Sequence, residues 1–400
     1  MAKRTEETNE PKQVKCKFCG KMVDEDKLIY GKTQSITICE DCLDICSHIF
    51  KDKNNHEIIN LEGILKPTEL KKKLDEYIIG QDRAKKIMSV AVYNHYKRVF
   101  KLKGKDIQKS NIMLIGSTGS GKTLIAQTIS KLLDLPMTII DVNSITSAGY
   151  VGKNVEDCLG DLVRKADGDI KRAEYGIVFL DEIDKLAKTS TDNAKDVGGE
   201  GVQQALLKIL EGCEVALPSK KDSLLGGEGE PKTINTDNIL FIASGAFPGI
   251  ENFIADKKEK HVMGFGNTSH KVTEKEKEHF LNEVRTDEII QYGLIPEFVG
   301  RFPVVTALHK LDEDSLMKIL TEPKNSITKQ YHDLLAVDGV ELKFDTKAIK
   351  KIANLALKNK TGARSLKSIL ENSMLDIMYK APVEKNKEIV ITENDIKEET

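Results

Sequence analysis

Lys122 and Thr123 close the run GSTGSGKT at residues 116–123, which has the GxxxxGK[ST] spacing of a phosphate-binding loop. Gly116, Gly119 and Gly121 let the backbone wrap close to phosphate oxygens with its amides turned inward. Ser117, Thr118 and Ser120 fill the variable positions between them. Lys122 supplies a fixed positive charge, and Thr123 a hydroxyl ligand for Mg2+. Leu124 begins an apolar-periodic helix whose N-terminus adds its partial charge. Further along, IVFLDEID at residues 177–184 ends an apolar strand in two adjacent carboxylates. Such carboxylates lie at the carboxyl edge of a parallel sheet, beside the phosphate loop. Asp181 then takes the Mg2+ side, and Glu182 is free to orient and deprotonate an attacking water. The two motifs together point to binding and hydrolysis of ATP.

A second chemistry is carried by cysteine. The chain has seven, four of them in two close pairs, Cys16/Cys19 and Cys39/Cys42, inside CKFCG and ICEDC. The spacing is that of a four-cysteine zinc ribbon: each pair forms one clamp, and two clamps close a tetrahedron around Zn2+. With no coordination position left open the metal is structural, and a module of this size needs it in order to fold. Cys158 and Cys213 read as small buried hydrophobes, and Cys46, four residues after Cys42, is a competing ligand outside the spacing usual for zinc.

These residues need elements to hold them. NIMLIG (residues 111–116), MTIIDV (137–142), GIVFLDE (176–182) and NILFIAS (238–244) are near-continuous apolar strands, as expected when helices cover both faces of a parallel sheet. The expected fold is α/β: a phosphate-loop domain over residues 65–305, then a mainly helical C-terminal domain over 306–400. Ahead of them come a polar, disordered N-terminus (1–14), the cysteine module (15–50) and a charged linker (51–64). Residues 218–233 and 255–285 lack periodicity and are expected to form exposed loops. Composition is 40% hydrophobic and 31% charged, with a net charge of −2, which disfavours general nucleic-acid binding. No apolar run approaches a membrane span, and MAKRTEETNEPKQVK lacks a secretory h-region, so a cytoplasmic protein is expected.

Three further features leave alternatives open. GYVG at residues 149–152, with Tyr150 and Val151 between glycines, reads equally as a mobile paddle gripping an extended chain or as a glycine-rich turn. Arg301 in GLIPEFVGRFP and Arg364 in KTGARSLKS are either solvated charges or contacts to a γ-phosphate.

In this order, the cysteine ribbon, LDEYIIGQDRAKK, GSTGSGKT, GYVG, FLDEIDK, LIPEFVGRFPV and KTGARSLKS resemble the AAA+ protein unfoldases of the Clp/Hsp100 family, in the branch called ClpX, which feeds the ClpP peptidase. The resemblance runs from about residue 14 to 392. It implies an ATP-dependent unfoldase and chaperone, not itself a peptidase, that forms a homohexamer with ATP between subunits and works with ClpP, adaptors and tagged or unfolded proteins. By the same resemblance Ile78 and Ile79 pack on adenine, and Arg301 reaches a neighbour's ATP. Arg364 couples the small domain to the nucleotide, and Tyr150 and Val151 line an axial pore. Met263, Gly264 and Phe265 form a peptidase-docking tip. Methionine stands at 263 where the family usually has an aliphatic residue, keeping its volume and apolarity. Many relatives carry an Arg-Lys-His cluster in the loop over residues 218–233. This chain has Lys220 and Lys221 there, followed by Glu228 and Glu230.

Overall fold

The computed structural model describes residues 13–31, 36–54, 65–102, 104–145, 154–187, 199–217, 232–262, 280–359, 361–383 and 388–397. The chain divides into two compact units, Met1–Asn60 and Leu61–Thr400.

In the first unit, two short antiparallel pairs, β1 (Gln13–Lys15) with β2 (Met22–Asp24) and β3 (Leu28–Tyr30) with β4 (Thr37–Cys39), precede α1 (Glu40–Asn54). Its core is almost entirely sulfur: Cys16, Cys39 and Cys42 are buried with Leu28 as their one fully buried aliphatic neighbour. So little apolar surface cannot offset the entropy of ordering the module, so the cysteines themselves must supply the stabilisation.

The second unit is built on a parallel five-stranded sheet in the order β11-β5-β10-β7-β6. The strands are β5 (Ile112–Ile115), β6 (Met137–Asp141), β7 (Ile177–Asp181), β10 (Leu240–Gly245) and β11 (Val304–Ala307). β5 and β10 are buried along their whole length, and β7 to its last residue, because helices cover both faces; edge strand β6 alternates exposed and buried positions. A small hairpin, β8 (Glu214–Ala216) with β9 (Thr233–Asn235), stands apart from this sheet.

Helices α2 (Pro67–Asp75), α3 (Asp82–Lys101), α4 (Lys122–Leu132), α5 (Val155–Lys165), α6 (Gly199–Glu211), α7 (Ile250–Val262) and α8 (Thr286–Tyr292) belong with the sheet. Helix α7 corrects the loop expected from residue 255: Phe253, Ile254 and Ala255 pack on the core before the charged run DKKEK continues the same helix. The fifth strand, β11, is not distinct in the sequence; it pairs with β5 and carries the chain out beside the phosphate loop, where the Leu308 amide donates to the Ile115 carbonyl at 2.7 Å.

Beyond it, α9 (Glu313–Thr321), α10 (Ile327–Val337), α11 (Thr346–Lys358) and α12 (Arg364–Lys380) enclose a separate core around Leu316, Ile352, Leu366 and Leu370. A parallel pair, β12 (Glu341–Phe344) with β13 (Glu388–Ile391), closes it. No helix among the described residues is long and apolar enough to cross a membrane.

Candidate functional site

The loop after β5 turns at the carboxyl edge of the sheet, where ligands collect in open parallel folds. Gly116 has φ 155°, and a Cβ there would lie 2.6 Å from the Leu308 carbonyl oxygen. Gly119 has φ 78°, and a Cβ there would collide with the Thr361 carbonyl. Only glycine fits at both places. Lys122 opens α4 with 8% of its surface exposed, and its Nζ donates to the carbonyls of Gly116 at 2.5 Å and Ser117 at 3.0 Å. Burial lowers the pKa of this ammonium, and the nearby charges of Asp181 and Asp184 oppose that shift. Ser120 is buried with its hydroxyl unpartnered.

Because β7 lies one strand from β5, across β10, Asp181 faces the start of α4. Thr123 Oγ1 donates to Asp181 Oδ2 at 3.5 Å, and Ser244 Oγ, from the end of β10, donates to Asp181 Oδ1 at 2.9 Å. Glu182 follows with φ 60°, a left-handed conformation that costs a non-glycine residue energy and turns its side chain away from the strand's alternation. Its Oε2 accepts from Asn143 Nδ2 at 2.9 Å, and Asn143 is held in turn by Asp141 Oδ1 at 2.8 Å. Asp184 is buried and accepts from the Ala246 amide at 3.0 Å, tying the β7 turn to β10.

Of these groups Lys122, Thr123, Asp181, Glu182 and Asp184 line one cleft of about 550 Å³, together with Thr118, Gly119, Gly121, Leu124, Gln127, Lys185 and Pro248. Arg364 reaches it from the C-terminal part, where the Ala363 amide donates to the Gly119 carbonyl at 3.4 Å. The cleft thus gathers a phosphate cradle, a buried cation, a hydroxyl–carboxylate pair suited to Mg2+, a second carboxylate and an arginine. That set can hold a polyphosphate and activate water against it.

The remaining sequence candidates lie elsewhere. Ile78 is buried and Ile79 half-buried in the turn between α2 and α3, outside the lining of the cleft. Arg301 pairs with Glu211, and its carbonyl accepts from Asn111 Nδ2, just before β5 begins. That position is the opposite edge of the sheet from the phosphate loop. Tyr150, Val151, Met263, Gly264, Phe265, Lys220 and Lys221 lie outside the described residues.

Asn143 and Ser244 were not singled out in the sequence. The usable signal was positional: each ends or follows a strand of the same sheet, at the same edge as Asp181.

In the N-terminal unit the sulfurs of Cys16, Cys19, Cys39 and Cys42 lie within 4.8 Å of one another, the one such metal-ligand group among the described residues. The Cys39 amide donates to Cys16 Sγ at 3.4 Å. A backbone hydrogen bond from Cys19 is the largest influence drawing the Cys16 thiol down, to about 6, while burial pushes Cys42 up. Four convergent soft donors without a carboxylate among them fit Zn2+ closed on all sides. Cys46 lies outside the cluster, Cys158 is buried and Cys213 half-buried.

Comparison with known proteins shows the following similarities. Residues 107–305 match the model of an AAA domain (Cdc48 subfamily). Residues 311–392 match that of the C-terminal, D2-small domain of ClpB protein. The chain is also 43% identical, over 387 residues, to the ATP-dependent Clp protease ATP-binding subunit ClpX of Treponema denticola, an alignment covering 94% of this chain and 92% of that protein.

Proposed function

The chain belongs to the ClpX family of Clp ATP-binding subunits, an ATPase family with no peptidase activity of its own, and from that premise we propose that it is the unfolding motor of a two-part protease. As a homohexamer it unfolds tagged or unfolded proteins, passes them to a ClpP-type peptidase and acts alone as a chaperone. The observation that carries this reading is the single cleft in which the phosphate loop, Asp181, Glu182 and Arg364 meet, with Arg364 contributed from the C-terminal part. A nucleotide bound there touches both parts of the chain, so its turnover can move one against the other.

In this reading Lys122 and the loop amides hold the phosphates, and Thr123 and Asp181 would hold Mg2+. The metal supplies neutralisation of the phosphate charge when bound. Glu182 takes the proton of the attacking water, with its carboxylate aimed by Asn143. Ile78 and Ile79 meet the adenine. The position of Arg301 at the far edge of the sheet supports its acting on a neighbour's nucleotide, since its own phosphate loop is at the other edge. Tyr150 and Val151 grip the substrate chain in the pore, and Met263, Gly264 and Phe265 dock on the peptidase. The ribbon cysteines Cys16, Cys19, Cys39 and Cys42 hold a structural Zn2+ and present a surface for adaptors. The protein works in the cytoplasm and requires no nucleic acid, in keeping with a net charge of −2.

The deciding experiment follows a fluorescent folded substrate with and without ClpP. Glu182→Gln is expected to bind ATP yet leave the substrate folded, and Phe265→Ala to unfold it without degradation. Unfolding by Glu182→Gln, or degradation at the wild-type rate by Phe265→Ala, would overturn the corresponding assignment.

A further inference from the structure

Gln81 immediately precedes α3 with φ 57° and ψ 32°, a left-handed backbone that glutamine adopts only at a steric cost. Its side chain shows what that conformation achieves. Nε2 donates to the His309 carbonyl at 2.9 Å and to the Ser120 carbonyl at 3.3 Å, while Oε1 accepts from the His309 amide at 3.0 Å. One primary amide therefore uses three of its four hydrogen-bonding positions. Its pairing with both backbone groups of His309 closes a ring like that between neighbouring peptides, just where β11 has ended.

The partners matter more than their number. Ser120 belongs to the phosphate loop, His309 is the second residue beyond β11 on the way to the C-terminal part, and Gln81 itself follows the Ile78–Ile79 turn. Two backbone ties cross the same gap: the Lys324 amide donates to the Glu76 carbonyl at 2.9 Å, where an exposed Lys324–Glu76 ion pair at 2.7 Å joins it, and the Ala363 amide donates to Gly119. Gln81 supplies the side-chain tie that reaches the phosphate loop. It can be removed without altering any backbone amide.

We propose that Gln81 is a positioning residue for ATP hydrolysis, whose amide registers the outgoing chain at His309 against the phosphate loop at Ser120 and thereby holds Arg364 at the cleft. The proposal rests on the ATPase reading given above. Asparagine is the side chain best tolerated at positive φ, but it is one methylene too short for its amide to serve His309 and Ser120 together. Glycine relieves the backbone and has no amide at all. Both substitutions leave the turn without added strain while removing the bridge.

The test measures steady-state ATP hydrolysis and amide exchange on the full-length chain. Gln81→Asn and Gln81→Gly are expected to lower kcat about tenfold, the scale of one or two lost hydrogen bonds, while KM for ATP stays within roughly threefold. Amide exchange in the segment spanning Thr361, Gly362 and Ala363 speeds up, although neither substitution touches it. In an Arg364→Ala background the same substitutions lower kcat no further, because the group they position is already gone. An unchanged kcat, an unchanged exchange rate at Ala363, or losses that multiply in the double variant would each overturn the proposal. A wild-type chain that hydrolyses no ATP would instead refute the ATPase reading on which it stands.

Discussion

At the scale of single residues, two buried groups make the site and its support sensitive to solution conditions. His95 is buried on α3, and its Nε2–H donates to the Asn238 carbonyl at 3.0 Å while Nδ1 has no partner. Burial, reinforced by the charges of Arg98 and Lys109, holds its pKa down to about 3 from 6.5. The unfolded chain therefore takes up a proton at this residue between pH 6.5 and 3 that the folded chain refuses. Its contribution to stability is complete above pH 6.5 and is lost as pH falls through that window. His95→Gln keeps a donor for Asn238, and its urea midpoint should decline less between pH 6 and 4, by up to about 1.4 kcal/mol per pH unit of stability. Equal slopes in variant and wild type would contradict this. Ser244 acts on the metal side: Ser244→Ala removes the hydroxyl that fixes Asp181 and should raise the Mg2+ needed for half-maximal ATP hydrolysis about tenfold. An unchanged Mg2+ titration would mean that Asp181 is held well enough without it. Lys122, Asp181 and Glu182 were legible because each ends a recognisable run; Ser244 and Asn143 were not, because their relation to Asp181 exists only once the strand order is known.

At the scale of elements, legibility follows burial. β5, β7 and β10 are covered on both faces and read as unbroken apolar runs, so the sheet's centre could be found from sequence. β11 is an edge strand of four residues, Val304–Ala307, and its pairing with β5 comes from topology rather than pattern. Helix α7 was missed for the converse reason: most of its apolar residues fall in its first two turns, and the charged run DKKEK follows them. The N-terminal module is the extreme case, legible from four cysteines alone because they are nearly its entire core. Stripping Zn2+ with a chelator should therefore melt β1 to β4 and α1 as one unit, seen as lost helical circular dichroism and protease cutting within residues 13–54. ATP hydrolysis by the same sample, once excess Mg2+ is restored, should persist, since Leu61–Thr400 keeps its own core. Survival of the module without metal would show that sulfur packing alone suffices.

At the scale of the whole molecule, the cleft gathers Lys122, Asp181, Glu182 and Arg364, while Arg301 lies at the opposite edge of its sheet. If each site is finished by a neighbour, two inactive variants can rescue one another. Lys122→Ala and Arg301→Ala chains mixed in equal amounts should regain roughly a quarter of wild-type ATP turnover, the chance that an intact loop meets an intact arginine across a head-to-tail interface. Silence of the mixture, with assembly verified by sedimentation, would place Arg301 in a structural role. The Leu308 carbonyl against Gly116 adds a mechanical point. The polypeptide leaves the sheet beside the loop that cradles the phosphates, so in the proposed motor the fulcrum of the C-terminal arm would coincide with the nucleotide site. A displacement at the phosphates then needs no relay across the protein: it is applied at the pivot, and the length of the arm magnifies it.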